Sequence, residues 1–393
     1  MKIVIACKYV KRSFGGAEKV IFDLSNILLD LGHEVTICHH EQTNKEVTYE
    51  INKNVKFKNS FGLGKNLFTS KFNKNIENFC FDNLPNDINE GEVFYYLKLN
   101  KSFREELASS ILTENPDLVI AFLPHTFTHI LIQLSKIVPI FVPLQNSPKE
   151  DFFNLNRHEK NKIDRILRFK MLEHSSAVSV LIDNFQNYFK ELKLKRIFTT
   201  PNIIETPIKF RKEYKGEHLK NFVSVGRLEP QKGFETLVNY LSFSLIKNYD
   251  LKCDIYGTGS SYLKILNELN ENLMHDTVNL LGFETKILEK LINYDIFIIP
   301  SLYEGWGLTL TEAMSVGLIC IGFDDCEGVN SIINEKNGIL IKRDVNSFFY
   351  ALDKINKDKK KQNEIRENSI YFCKQFSKEK VKNNWDMILK KMS

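Results

Sequence analysis

The sequence predicts an α/β protein made of two consecutive doubly wound domains, and three observations carry that expectation. Apolar runs of strand length alternate with stretches of helical period along most of the chain, which is the signature of repeated βαβ units. The rhythm breaks at a polar, charged segment from Ile204 to Lys220 and restarts at Asn221-Phe222-Val223-Ser224-Val225-Gly226. A length of 393 residues also exceeds what one hydrophobic core usually organises. The expected division is 1–205, 206–376 and a last helix, 377–393, that packs back across the domain junction.

The elements follow in order. Residues 2–7 read as a strand, residues 8–16 as a loop ending in Phe14-Gly15-Gly16-Ala17-Glu18, and the next stretch as a helix to about Leu31. Val20, Ile21, Leu24, Ile27, Leu28 and Leu31 fall at helical spacing there. Gly32 suits the C-cap, and Val35-Thr36-Ile37-Cys38 is the second strand. Gly15 and Gly16 therefore sit at the carboxyl end of strand one, the edge at which open parallel sheets bind ligands. Residues 41–110 lose the rhythm and mix lysine with phenylalanine: Lys56, Phe57, Lys58, Phe61, Lys65, Phe68, Lys71, Phe72, Lys74. Two readings stand, an acceptor-recognising insertion and a helical hairpin with phenylalanines inward.

Strands resume at Pro116–Phe122 and Ile140–Pro143, and the second places Gln145, Asn146 and Ser147 on the same rim as Gly15. Arg157–Lys170 and Lys190–Arg196 read as basic helical stretches, which fit either an anionic membrane surface or a solvated outer face. Ala177–Leu181 is a further strand, and Phe198–Asn202 closes the first domain. Strands of the second domain are expected at about 222–225, 251–256, 278–281, 295–299, 318–322 and 339–341.

Candidate chemistry concentrates in the second series. Ile296–Ile299 is an apolar strand, followed by a glycine-bearing loop with Glu304 and then a helix carrying Glu312 eight positions later. Unpaired amides at that helix start favour an anion. The two carboxylates can grip hydroxyls on either side of it. Arg227 and Lys232, bracketed by Gly226 and Gly233, follow the first strand of the domain and can flank one diphosphate, the former as a planar fork and the latter as a point charge. Tyr256-Gly257-Thr258-Gly259 lacks the third glycine of a dinucleotide fingerprint, with Tyr262 in its place, which disfavours a nicotinamide oxidoreductase.

Together Gly15-Gly16-Ala17-Glu18, Gly226-Arg227-Leu228 with Gln231-Lys232-Gly233, Gly257-x-Gly259, Leu281-Gly282-Phe283 and Glu304-x7-Glu312 resemble the retaining glycosyltransferases of family 4, on the GT-B fold. Asp325–Ile333 with Asn337-Gly338 is similar to members that build bacterial surface glycans. The resemblance implies two Rossmann-like domains facing across a cleft, with acceptor binding on the first and UDP-sugar donor binding on the second. It implies that Arg227 and Lys232 hold the diphosphate, that Glu304 takes sugar hydroxyls with the amides of Gly305, Trp306 and Gly307, and that Glu312 takes the ribose. Amides of Leu308 and Thr309 would meet a phosphate, Gly16 would admit the diphosphate, and backbone near Gly282 and Phe283 would read the uracil. Where many members carry histidine before Asn-Ser-Pro this chain has Gln145, and His125 is a competing candidate beside Asn146 on the acceptor side.

The expected activity is transfer of a hexose or N-acetylhexosamine from a UDP-sugar to a glycan or lipid-linked acceptor, and the alternative is a catalytically idle binding subunit of a transferase complex. No metal and no other cofactor is expected. Seven scattered cysteines, none in a Cys-x-x-Cys spacing, point to a reducing cytoplasm. A net charge of +5 is too mild to imply nucleic acid. No apolar run reaches the roughly 18 residues of a membrane span, and Lys8 interrupts the first apolar run too early for a signal peptide. Contact with the inner face of the cytoplasmic membrane would be peripheral.

Overall fold

The computed structural model describes residues 1–10, 15–42, 49–64, 68, 76, 79–80, 84, 89–154, 162–214, 218–246 and 249–392. Phe14, Lys65, Lys71, Phe72, Lys74 and the start of the basic stretch at Arg157 lie outside them. The chain divides into two compact units, one of residues 1–203 with 381–393, the other of residues 204–380.

The first unit holds a seven-stranded parallel sheet of β1 (Lys2–Cys7), β2 (Glu34–His39), β3 (Lys56–Asn59), β4 (Leu118–Ala121), β5 (Ile140–Pro143), β6 (Ala177–Val180) and β7 (Ile197–Thr199). Their order is β3-β2-β1-β4-β5-β6-β7. Alternation along β1 divides its side chains between two cores. Ile3, Ile5 and Cys7 join Ile21, Leu24 and Leu28 of the helix Gly16–Asp30, while Val4 and Ala6 join Leu107, Phe127 and Leu131 on the other face. Such two-sided burial is what a parallel sheet requires. Gly32 closes the first helix region with φ of +82°, a conformation a side chain would resist.

Three local readings of the sequence change here. Lys56–Asn59 is an edge strand pairing with β2, so part of the lysine–phenylalanine segment extends the sheet, and the alternation of Lys56, Phe57 and Lys58 is its period-two signal. Lys190–Arg196 is turn and irregular chain leading into β7, preceded by a 3-10 helix at Asp183–Phe189. In the helix Lys162–Met171 the basic residues divide: Lys162 is exposed and Arg165 and Lys170 are partly so, whereas Arg168 is 2% exposed and ion-paired with Asp164.

The second unit holds a six-stranded parallel sheet of β8 (Asn221–Val225), β9 (Lys252–Tyr256), β10 (Val278–Gly282), β11 (Ile296–Ile299), β12 (Ile319–Phe323) and β13 (Ile339–Ile341). Its order is β10-β9-β8-β11-β12-β13. Chain direction across the sheet therefore reverses between β8 and β11, which pair through Ile296 with Phe222 and Phe297 with Val223. The loops leaving these two strands flank the crevice where doubly wound sheets bind ligands. The segment after Ile204 is anchored on this unit. Tyr214 is buried and donates to the Asp295 carbonyl at 2.6 Å, and Leu219 joins the core.

The last helix, Lys378–Met392, buries Val381, Trp385, Ile388 and Leu389 in the core of the first unit. Trp385 meets Phe141 at 5.1 Å between ring centroids, and Asn384 donates to the Thr199 carbonyl at 3.0 Å. All seven cysteines are buried and none is in a disulfide, and burial pushes the Cys38 and Cys326 thiols up to about 12. They act as small apolar groups. Among the described residues no helix is long and apolar enough to cross a membrane.

Candidate active site

Two loops from the reversal point build the site in the second unit. The first leaves β8 at Gly226 and turns through a 3-10 segment, Pro230–Lys232, to Gly233, whose φ of +66° is left-handed. A Cβ on Gly233 would lie 2.2 Å from the Pro300 carbonyl oxygen, so only glycine lets the two loops meet. The second loop leaves β11 at Pro300 and ends at Gly307, left-handed at φ +71°, which caps the helix Leu308–Ser315. Leu302 N donates to Gln231 O at 2.9 Å and Gln231 Nε2 to Tyr303 O at 3.0 Å, which zips the loops together.

This zipper brings Lys232 and Glu304 into contact. Lys232 Nζ lies 2.5 Å from Glu304 Oε1, and Ser301 Oγ donates to the same oxygen at 2.6 Å. Glu304 is only 6% exposed, and beneath it a Cβ on Gly328 would lie 2.3 Å from its carbonyl oxygen. Arg227 is exposed, and its side chain makes no hydrogen bond or ion pair to any described residue, so its guanidinium is available to an anion. The helix Leu308–Ser315 makes its first ladder bond from Thr311 N to Gly307 O, which leaves the amides of Leu308 and Thr309 outside the ladder. Glu312 is half-buried on the same helix. Two cations, a carboxylate and a helix start thus converge on the crevice, a combination suited to an anion joined to a hydroxyl-rich group.

Other expected donor residues have structural duties. Trp306 is buried with its ring edge-on to Phe376 at 5.0 Å, so only its backbone faces the loop. A Cβ on Gly257 would lie 1.8 Å from Gly226 O and one on Gly259 2.4 Å from Leu228 O. These glycines let the β9 turn press against the Arg227 loop, where Leu228 N donates to Thr258 O at 2.9 Å. Gly282, at φ +73°, accepts from Gly257 N at 2.7 Å, and Phe283 beside it is exposed.

In the first unit the reversal lies between β1 and β4. Gly15 precedes the helix Gly16–Asp30, and a Cβ there would strike Glu18 Oε2 at 2.2 Å; Gly16 is exposed in the first turn. His125 opens the helix Pro124–Leu134 directly after β4. Its ring stacks on Phe103 at 4.7 Å, and burial, reinforced by Lys8, pushes its pKa down to about 4, so the imidazole is neutral at pH 7. Gln145 instead lines a cavity of about 20 Å3 with Val20, Thr200, Asn202, Val381 and Trp385. Asn146 spends its side chain on a local turn, donating to Asp151 Oδ1 at 3.0 Å and accepting from Ser147 N at 2.9 Å. Of the three acceptor-side candidates, His125 is the one at the reversal point.

Ligand atoms of His125, His129 and Asp164 converge within 4.8 Å, and among the described residues no other group of histidine, cysteine and carboxylate side chains does so in metal-binding fashion. Yet Asp164 already accepts from Tyr96 and Arg168, and Tyr96 also bonds His129 Nε2 at 3.1 Å. With Lys8, Arg104 and Arg168 acting on these imidazoles, a dication would meet repulsion. Asp164 and His129 Nε2 are thus already engaged by neighbouring side chains, while His129 Nδ1 is buried without a hydrogen-bond partner among the described residues.

Sequence reasoning missed Ser301, Asp325 and Arg343 as parts of the site. Arg343 binds the carbonyls of Pro300 and Ser301, and the available signal was its position just after an apolar strand, hence on the same sheet edge.

The two parallel-sheet units have the GT-B fold class, and the comparisons show which domain the second unit carries. Residues 205–371 match the glycosyl transferases group 1 model, and this chain carries that domain. The GtfA subunit of the UDP-N-acetylglucosamine–peptide N-acetylglucosaminyltransferase of Streptococcus agalactiae is 27% identical over 228 residues, covering 55% of this chain and 44% of that protein. The UDP-Gal:alpha-D-GlcNAc-diphosphoundecaprenol alpha-1,3-galactosyltransferase of Escherichia coli is 35% identical over 147 residues, covering 35% of this chain and 37% of its own. The matches thus span less than half the length of these two relatives. The crystal structure of TarM superposes with a TM-score of 0.75 over 98% of this chain and 97% of TarM at 15% identity, which establishes the shared fold.

Proposed function

We propose that this chain is a retaining glycosyltransferase that moves a hexose or N-acetylhexosamine from a UDP-sugar to a glycan or lipid-linked acceptor, in the synthesis of a bacterial surface polysaccharide, lipopolysaccharide or glycoprotein glycan. The observation that carries it is the Lys232–Glu304 pair, set by adjacent loops beside an open helix N-terminus. The names of the two relatives, both with UDP-linked sugars, agree with it.

In this reading Arg227, Lys232 and the amides of Leu308 and Thr309 bind the donor diphosphate. They stabilise the negative charge that grows on departing UDP, which is where preorganised donors lower a barrier most. Glu304 positions the sugar through its hydroxyls and Glu312 takes the ribose. Glu304 already accepts from Lys232 and Ser301, so it is a poor candidate for a free general base. No metal is needed, because the two cations supply the charge that a divalent ion supplies elsewhere. Acceptor binding falls on the first unit, with His125 as a neutral hydrogen-bond partner.

A panel of nucleotides and nucleotide-sugars tested for thermal stabilisation, followed by transfer assays and NMR of the product anomer, checks the proposal. Stabilisation by UDP and its sugars with the anomeric configuration kept is expected, and transfer should persist in excess chelator. A purine preference or an inverted product would overturn it. That the Streptococcus agalactiae relative is a subunit favours a second reading, a binding partner within a transferase complex. Donor hydrolysis by the isolated chain would exclude that reading.

A further inference from the structure

Arg343 follows β13 and reaches the start of the Glu304 loop. Its Nε and Nη2 donate to Asp325 Oδ2 and Oδ1 at 2.8 and 2.7 Å, a bidentate pair. Nη1 donates to Pro300 O and Nη2 to Ser301 O, both at 2.9 Å. The guanidinium also lies over the Phe323 ring, 4.0 Å from its centroid. A guanidinium has five N–H donors in a fixed fork, and these contacts use four of them. Little is left for a phosphate, so Arg343 is not a third diphosphate ligand.

Its targets explain its place. The pairing of β11 with β12 ends at Ile299 and Gly322, so the carbonyls of Pro300 and Ser301 lie beyond the last strand pair. Strand-end carbonyls in a half-buried loop need donors, and Arg343 supplies both. On its other side the Pro300 carbonyl faces Gly233, which carries no Cβ to displace it. Ser301, held through its carbonyl, in turn gives its hydroxyl to Glu304 Oε1. A continuous path therefore runs from Asp325 through Arg343 and Ser301 to the carboxylate.

We propose that Arg343, held by Asp325, is a positioning residue that fixes the loop presenting Glu304 to the donor sugar. The proposal rests on the donor reading given above. Arg343 acts first on the sugar half of the donor, because it bonds the loop that carries Glu304 and makes no direct bond to Arg227 or Lys232. Lysine cannot replace it, since a point charge cannot hold a carboxylate and two carbonyls in one plane.

The test compares wild type, Arg343→Lys, Arg343→Ala and Asp325→Asn for transfer kinetics, inhibition by UDP and thermal melting. Expected are a kcat at least tenfold lower in both Arg343 variants, a smaller loss in Asp325→Asn, and UDP inhibition within about twofold of wild type. Methylguanidinium should restore part of the kcat of Arg343→Ala without altering UDP inhibition. Unchanged kcat in both Arg343 variants would overturn the proposal. So would a loss of UDP inhibition in parallel with kcat, since that marks general damage to the unit. If Arg343→Ala does not fold, Arg343→Lys and Asp325→Asn decide by the same split between kcat and UDP inhibition. Wild type that neither transfers sugar nor binds UDP would instead overturn the donor reading itself.

Discussion

Lys232 and Glu304 are 72 residues apart in sequence, and their charged groups meet at 2.5 Å with side chains only 18% and 8% exposed. Each loop would be an unremarkable surface turn alone. The reversal of chain order between β8 and β11 makes them neighbours.

Replacing Lys232 by alanine should lower transfer by about one to two decades. A charged hydrogen bond contributes roughly 1.5–3 kcal/mol, and about 1.4 kcal/mol is a factor of ten in rate. Steady-state kinetics beside a circular dichroism spectrum check it, and near wild-type transfer would remove Lys232 from the mechanism.

That variant also strands Glu304 in a nearly buried place without its ion-pair partner. Losing one member of a buried pair costs more than losing both. The double variant Lys232→Ala with Glu304→Gln should therefore melt higher than Lys232→Ala alone while remaining equally inactive. A double-mutant cycle on melting temperature reads this coupling; additive effects would show that the two groups do not interact in solution.

Gly257→Ala should destabilise the second unit by at least about 2 kcal/mol, because the new methyl would overlap Gly226 O at a φ of +148°. Chemical denaturation measures it. A harmless substitution would show that the β9 turn does not press on the Arg227 loop.

Acid should weaken the first unit through His125. Its folded pKa is about 4 against an ordinary 6.5, so below pH 6.5 the unfolded chain binds a proton that the folded chain refuses. The contribution is fully present above pH 6.5 and is lost as pH falls from 6.5 towards 4. His129, also held low by burial, acts in the same direction. Denaturation curves at pH 7.5, 6 and 5 should show this slope, and His125→Asn should flatten it.

Much of this was legible in the sequence because it rests on local pattern. Apolar runs gave the strands of the second unit to within a residue or so, and the eight-residue spacing of Glu304 and Glu312 gave a loop followed by a helix. What escaped depends on contacts distant in sequence. Arg343 looks like any surface arginine until β13 pairs with β12, and Gly257 reads as one member of an incomplete glycine fingerprint until Gly226 O is seen 1.8 Å from its missing Cβ. Gln145 occupied a plausible rim position, yet Trp385, 240 positions further along the chain, packs around the cavity it lines. Lys56–Asn59 escaped because an edge strand half open to solvent lacks the continuous apolar run of its neighbours.

The placement of Val381–Ser393 also constrains how the polypeptide matures. Trp385 fills a space against Phe141, and Trp385→Ala should cost about 3–5 kcal/mol. Domains made early in synthesis ordinarily fold before later ones emerge. Here the first unit lacks part of its interior until residues 381–392 have been made, whereas the second unit has its entire sequence, 204–380, by then. Residues 1–203 are thus made before the second unit yet completed after it, and a chain stopped at Lys380 would carry a complete second unit and a first unit with an open core.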